Sequence, residues 1–297
     1  MWLITGANGQ LGRCLRDALG DAVAGDAPAI YTDREELDVT DEAAVAEFFT
    51  RHQIDGVINC AAYTNVDGAE DEPELAAALN AVAAGRLAKY GRRIIQISTD
   101  YVFAGKAHFP YDENGSPAPL SVYGKTKLDG ERAVLTNADT AVVIRTAWLY
   151  SEYGKNFVQT MRRLGAERLG AERLGAERRD AERGEVNVIF DQIGTPTYAG
   201  DLAAAIVKIL PQIKNGAREI YHFTNEGVCS WFDFATKIME LSRLPVQVRP
   251  IETKDYPRRA ARPPYSVLNK AKIKRDFGLE IPHWEASLRR CIERFDQ

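Results

Sequence analysis

The sequence has no close grouping of metal-binding residues. Its four cysteines, at positions 14, 60, 229 and 291, form no C-x-x-C pair. Neither a zinc ribbon nor a paired-thiol redox centre is therefore expected. The four histidines, at 52, 108, 222 and 283, are equally scattered. No apolar run approaches the roughly 18 residues that a helical membrane span requires. An excess of positive charge is also missing, because Lys plus Arg total 38 against 42 for Asp plus Glu, a net charge of −4. Binders of nucleic acid or anionic membranes need a basic face, and neither partner is expected. The one short basic stretch is Arg258, Arg259 and Arg262. No basic leader precedes Trp2-Leu3-Ile4-Thr5-Gly6, which reads directly as a strand, and the expectation is a cytoplasmic protein.

What is present is alternation. Short apolar runs at Trp2–Thr5, Ala29–Thr32, Val57–Cys60, Ile94–Ser98 and Ala141–Arg145 read as strands. Helical patterns lie between them: Asp41–His52 gathers Val45, Phe48 and Phe49 on one face, and a second helix starts near Pro73 and runs to about Tyr90. Strand–helix alternation predicts an α/β fold, a Rossmann-type doubly wound parallel sheet covered on both faces. The chain of 297 residues divides on this reading into a dinucleotide-binding region, 1–150, and a smaller, mainly substrate-binding region, 151–297, with some later segments returning to the first. In the second region Val186–Phe190 and Ile220–Phe223 are strand candidates, Asp201–Leu210 is a helix, and Ser230 caps another. Residues 245–264, crowded with Pro and Arg, read as a long ordered loop, and Trp284–Phe295 as a final helix.

Residues 164–183 repeat Leu-Gly-Ala-Glu-Arg three times and then run Arg-Asp-Ala-Glu-Arg. A period of five advances about 500° per repeat on a helix, so Leu164, Leu169 and Leu174 spread around it and no apolar stripe forms. The expectation is a solvated helical extension without chemistry.

The first strand enters Thr5-Gly6-Ala7-Asn8-Gly9-Gln10-Leu11-Gly12. Glycines at 6, 9 and 12 permit a tight turn, close approach of a pyrophosphate and close helix–strand packing, and the following helix offers its free N–H groups to phosphate. Asp33 ends the second strand, where an acid binds a ribose 2′-hydroxyl, while Arg34 beside it suits a 2′-phosphate. NADH and NADPH both remain open. Tyr123-Gly-Lys-Thr-Lys127 places Tyr and Lys at i,i+4 on one helical face. A lysine ammonium beside a phenol lowers its pKa and makes it a usable proton donor. Upstream, Ile97-Ser98-Thr99-Asp100-Tyr101 closes a buried strand with hydroxyls at its carboxyl end, which in an open parallel sheet faces the ligand crevice.

The glycine turn, the hydroxyl at the fourth strand's end and Y-x-x-x-K together resemble the extended short-chain dehydrogenases/reductases. More narrowly, the chain resembles the dTDP-4-dehydrorhamnose reductase family. The segments that carry this are Gly6–Gly12, Asn59–Asp67, Ser98-Thr-Asp-Tyr-Val-Phe103, Tyr123–Lys127, Arg145-Thr-Ala-Trp148, Asn156-Phe157 and Asp191-Gln-Ile-Gly-Thr-Pro-Thr197. The resemblance implies an NAD(P)H-dependent oxidoreductase that reduces the C4 keto group of a dTDP-sugar. Tyr123 would donate the proton, Thr99 would hydrogen-bond the C4 oxygen, and Lys127 would hold the nicotinamide ribose. Gly9, Gln10 and Leu11 would hold the pyrophosphate, Gly6 and Gly12 of the same turn would also bind the cofactor, and Asp33, Asp38 and Val39 would hold the adenosine end. Ala61, Ala62 and Tyr63 would line the cofactor. Thr99, Asp100, Tyr101, Trp148, Asn156 and Arg262 would meet the sugar nucleotide.

A homodimer is the implied assembly. Some relatives share a divalent metal between protomers. Gly200 stands where a glutamate would be expected and Glu293 is the one suitable acid, so no metal, Mg2+ included, is expected to be required. Other outcomes compatible with the residues are another nucleotide-sugar 4-ketoreductase, an epimerase of the same fold, or a non-catalytic regulatory subunit resembling that of methionine adenosyltransferase.

Overall fold

The computed structural model describes residues 1–20, 22–23, 27–173 and 185–295. Its main sheet holds β1 (Trp2–Thr5), β2 (Ala22–Val23), β3 (Ala27–Thr32), β4 (Gly56–Asn59), β5 (Arg93–Thr99), β6 (Thr140–Thr146) and, from far along the chain, β11 (Arg218–His222). The order across it is β11-β6-β5-β4-β1-β3-β2, parallel throughout except for the short edge strand β2. Burial on both faces explains why these strands read as continuous apolar runs. Ile4, Ile58, Ile95 and Ile144 turn to one face, under α1 (Gln10–Leu19) and α8 (Ala199–Ile209). Their neighbours Leu3, Val57, Ile94 and Val143 turn to the other, under α2 (Glu42–Arg51), α5 (Ala83–Gly91) and α6 (Val122–Asn137).

β1 has β3 on one side and β4 on the other, so the winding reverses between β1 and β4. A ligand crevice is expected outside the carboxyl ends there. Thr5 Oγ1 donates to Asn59 Oδ1 at 2.6 Å, and Asn59 Nδ2 donates to Gln96 Oε1 at 2.7 Å. This buried polar ladder joins β1, β4 and β5 just below the crevice.

The helix read from Pro73 to Tyr90 is α4 (Pro73–Ala77), a π turn at Ala78–Val82 and α5 in succession. The π turn aims the buried Asn80 side chain at the Tyr63 backbone and at Thr126 Oγ1.

Other segments of the chain's second half build a second core of Tyr150, Val158, Met161, Phe234, Ile238, Trp284 and Leu288, among others. Most of it comes from α7 (Phe157–Arg173), α9 (Trp231–Leu241) and α11 (Trp284–Phe295). Ser230 caps α9, as read from the sequence, and the structure adds a capping box with Asp233. Two expectations need correction. The span 245–264 is not all loop: Gln247–Ile251 is a strand in parallel register with Glu185–Ile189. Proline is tolerated there because the ribbon has only two strands. The pentapeptide segment is not wholly solvated either. A Cβ at Gly165 would lie 2.8 Å from Leu244 Cδ1 and 2.9 Å from Met239 Sδ, so the first repeat packs on the second core. Residues 174–183 lie outside the described residues.

Among the described residues no helix is long and apolar enough to cross a membrane.

One ion pair ties α6 to the sheet. Arg145 on β6 and Glu131 on α6 meet through two hydrogen bonds of 2.7 and 2.8 Å, with side chains 2% and 1% exposed. Arg145→Leu strands a buried carboxylate and is expected to cost about 3–5 kcal/mol, measured by urea denaturation. A loss under about 1 kcal/mol would show that water reaches Glu131.

Candidate active site

The crevice at the carboxyl ends of β1, β3, β4, β5 and β6 opens into one cavity of about 780 Å³. At one end lies the glycine turn. Gly6 has φ +62°, and a Cβ there would stand 2.7 Å from the Ala61 backbone nitrogen, so the turns after β1 and β4 touch through backbone alone. At Gly12 a Cβ would stand 2.4 Å from the Gly6 carbonyl oxygen. No side chain caps α1. Its first intrahelical bond runs from Arg13 N–H to Gly9 O, which leaves the N–H groups of Gln10, Leu11 and Gly12 for an anion. Such a turn, open to the cavity and without a capping carboxylate, fits a dinucleotide diphosphate.

Asp33 follows β3, its carboxylate accepting from Asn8 N–H at 3.0 Å and from Arg34 N–H at 2.8 Å. The Arg34 side chain is 88% exposed, with Nε 3.6 Å from Asp38. Two bonds from Thr40, one hydroxyl and one N–H, hold the Asp38 carboxyl below its usual range. Asp33, Asp38 and Val39 line this end of the cavity, and Ala61 and Ala62 line its middle.

At the other end β5 and α6 converge. Ser121 caps α6 by accepting from Gly124 N–H, and the helix then presents Tyr123, Lys127 and Glu131 at four-residue intervals. Lys127 Nζ donates to the Ile97 carbonyl at 2.6 Å. The Tyr123 hydroxyl meets that of Thr99, and Thr99 Oγ1 donates to Asp100 Oδ1 at 3.1 Å. Tyr101 packs edge-on against Tyr123, ring centroids 5.5 Å apart.

Burial governs the protons here. It pushes the Tyr123 phenol up to about 12 and the Asp100 carboxyl up to about 6, and draws the Lys127 ammonium down to about 8. The expectation that Lys127 lowers the pKa of Tyr123 is therefore corrected. The ammonium is turned to the Ile97 carbonyl, Glu131 is its chief charged neighbour, and desolvation of the phenol dominates. The phenol is protonated at neutral pH, which is the form a proton donor needs.

Trp148 follows β6 with φ +49° and stacks on Trp231, centroids 3.7 Å apart and planes 12° from parallel. Both line the cavity. Trp231 was not anticipated; its position just after a helix cap, on an otherwise apolar helix, was the available signal. Asn156 lines the cavity too, but its amide is engaged. Nδ2 donates to Gln10 Oε1 at 3.0 Å and to the Ser151 carbonyl at 2.8 Å, while Oδ1 caps α7 through Gln159 N–H.

Two expected residues stand outside the lining. Tyr63 turns its hydroxyl to Glu72 at 2.6 Å. Arg262 donates two hydrogen bonds to the Asp67 carboxylate, at 2.9 and 3.0 Å, and reaches the Tyr101 side chain. Each found a carboxylate partner that spacing along the chain did not reveal. Among the described residues no cluster of three or more His, Cys, Asp or Glu could hold a metal ion.

The family model described as RmlD substrate binding domain matches residues 1–297. A dTDP-4-dehydrorhamnose reductase of Aggregatibacter actinomycetemcomitans is 39% identical, over 97% of this chain and 96% of its own. A Streptomyces antibioticus protein called a probable dTDP-4,6-dihydroxy-2-methyloxan-3-one 4-ketoreductase is 40% identical, over 98% and 94%. Among solved structures, a dTDP-4-dehydrorhamnose reductase from Clostridium acetobutylicum superposes with a TM-score of 0.89 at 39% identity, covering 100% of this chain and 99% of that one. One from Bacillus anthracis, in complex with NADP, gives 0.88 at 37% identity, covering 99% and 98%.

The desolvation of Lys127 is directly measurable. In lysine labelled with carbon-13 at Cε, the Lys127 resonance is expected to titrate near pH 8, whereas exposed lysines titrate at about 10.4. A Lys127 midpoint above about 10 would show that water reaches the ammonium.

Proposed function

The chain belongs to the dTDP-4-dehydrorhamnose reductase family, and we propose that it reduces the C4 keto group of dTDP-6-deoxy-L-lyxo-4-hexulose to give dTDP-L-rhamnose. The observation that carries this reading is the convergence of Thr99, Tyr123 and Lys127 on the cavity that the glycine turn also lines. A reduced nicotinamide dinucleotide, bound there, supplies the hydride. The chain supplies orientation and one proton.

Tyr123, kept protonated by burial, gives its proton to the C4 oxygen as that oxygen gains charge. The Thr99 hydroxyl lies against the phenol and hydrogen-bonds the same oxygen. Lys127, one turn along α6, takes the nicotinamide ribose hydroxyls. Gly6, Gly9, Gln10, Leu11 and Gly12 hold the diphosphate, with Asp33, Asp38, Val39, Ala61 and Ala62 along the rest of the dinucleotide. At the adenosine end Asp33 suits a 2′-hydroxyl and the exposed Arg34 a 2′-phosphate, so both dinucleotides are accepted.

The sugar nucleotide meets Asp100, Tyr101 and Trp148. Asn156 acts by fastening its loop to Gln10. Arg262, gripped by Asp67, steadies Tyr101 behind Tyr123. The division of labour near residue 150 belongs to the same proposal, with β11 returned to the dinucleotide-binding part, and so does a homodimer, which the family resemblance implies.

A second reading has one supporting observation. The Streptomyces antibioticus relative, 40% identical, is named for the 4-ketoreduction of a different deoxysugar. The two readings share every step and differ only in the sugar's ring substituents.

The test is oxidation of NADPH, and separately NADH, by the purified protein with enzymatically prepared dTDP-6-deoxy-L-lyxo-4-hexulose, the product being identified by chromatography. Appearance of dTDP-L-rhamnose is expected. Turnover only with other dTDP-4-keto sugars would favour the second reading, and no turnover with any would overturn both. Tyr123→Phe is expected to lower kcat by about 100-fold or more while dinucleotide affinity stays within about twofold; undiminished turnover would remove Tyr123 from the chemistry.

A further inference from the structure

A bound dinucleotide brings a doubly charged diphosphate to the start of α1, and the turn Thr5–Gly12 contains no lysine or arginine. Among the described residues, three cationic side chains line the cleft: Arg34, Lys127 and Lys155. Arg34 lies in solvent beyond the end of β3, beside Asp38. Lys127 is buried with its ammonium on the Ile97 carbonyl. Lys155 is exposed, and it has no hydrogen bond or ion pair with any described residue.

Its backbone is nevertheless held firmly. Ser151 Oγ donates to Gln10 Oε1 at 3.2 Å and Asn156 Nδ2 to the same oxygen at 3.0 Å. Between them, a Cβ on Gly154 would lie 3.4 Å from Gln10 Cγ. Further along α1, the Arg13 guanidinium covers the Tyr153 ring at 5.4 Å, and the Tyr153 hydroxyl donates to Asp17 at 2.8 Å. Gln10, Arg13 and Asp17 form one face of the helix, so the loop 151–156 is laid along that face from its first residue. Lys155 sits between the two residues that press on Gln10.

We propose that Lys155 is the cation that neutralises the dinucleotide's diphosphate at the N-terminus of α1. The inference rests on the dinucleotide-dependent reading above. It adds a side-chain charge to a site otherwise made of backbone N–H groups, whose partial charge amounts to about half a unit. A sugar nucleotide carries the same diphosphate chemistry, and the attachment of the loop to Gln10 decides for the dinucleotide.

The test is isothermal titration calorimetry of the full-length wild type, Lys155→Ala and Lys155→Arg with NADPH and, separately, with dTDP. For Lys155→Ala the NADPH affinity is expected to fall about tenfold, the size of one lost charge-assisted hydrogen bond. Lys155→Arg should restore most of it. The slope of log Kd against log salt should flatten in the alanine variant, a change that a merely structural role would not produce. The thermal midpoint should not move, because Lys155 supports no other described residue. If NADPH binds all three proteins equally, or if only dTDP binding weakens, the proposal is overturned while the dinucleotide reading stands. Failure of the wild type to bind any dinucleotide would remove both.

Discussion

The bidentate contact between Glu131 and Arg145 is the constraint around which the end of the cleft that holds Thr99, Tyr123 and Lys127 is arranged. Two opposite charges with almost no exposure are tolerated only where geometry and further hydrogen bonds offset their desolvation. Here Ser98 Oγ donates to Glu131 at 2.5 Å, the Arg145 guanidinium lies 5.1 Å from the Phe103 ring centroid, and His222 Nε2 stands 3.5 Å from its Nη1. Burial and the guanidinium draw His222 down to about 3, so it faces the arginine as a neutral ring. The group is locked between α6, β5, β6 and β11. Because Glu131 lies one turn beyond Lys127 and two beyond Tyr123, fixing it sets the rotation of α6 about its axis. Glu131 also favours the charged form of a lysine that burial otherwise disfavours. Packing and electrostatics thus meet in one carboxylate.

At the opposite end of the cleft the constraint is the absence of side chains. The turns after β1 and β4 touch through Gly6 and Ala61, and α1 approaches its own turn through Gly12. Nothing larger than hydrogen fits there without moving backbone, and the residues that carry the uncapped N–H groups line the cavity. The ladder Thr5–Asn59–Gln96 beneath them fixes the spacing of the strands whose ends form the floor.

The strands of the main sheet were legible because burial on both faces leaves a continuous apolar run, a pattern independent of partner. The glycine turn and Thr99 were legible because each closes a strand, and Tyr123 and Lys127 because they share one helical face at a spacing of four. What was not legible depends on partners remote in sequence. The strand at Gln247–Ile251 includes Arg249 and Pro250 and resembles a loop until Glu185–Ile189 lies beside it. Tyr63 and Arg262 are drawn to Glu72 and Asp67, contacts that the resemblance alone does not contain. The direction of the Tyr123 shift does not follow from its i,i+4 lysine, because desolvation of the phenol outweighs any neighbouring charge. Lys155 adjoins a recognised motif, yet its significance appears only once the other cleft cations are seen to be engaged or distant.

The paired indoles at the cleft have an optical consequence. The chain has four tryptophans; Trp2 and Trp284 are buried in separate cores, while Trp148 and Trp231 lie face to face at 3.7 Å. Aromatic transitions that close together couple, and their combined circular dichroism depends on the angle between the rings. The pair is therefore a built-in chromophore in the lining of the cavity. A ligand that tilts either ring would alter the near-ultraviolet spectrum without any label, and the free protein already carries the reference signal.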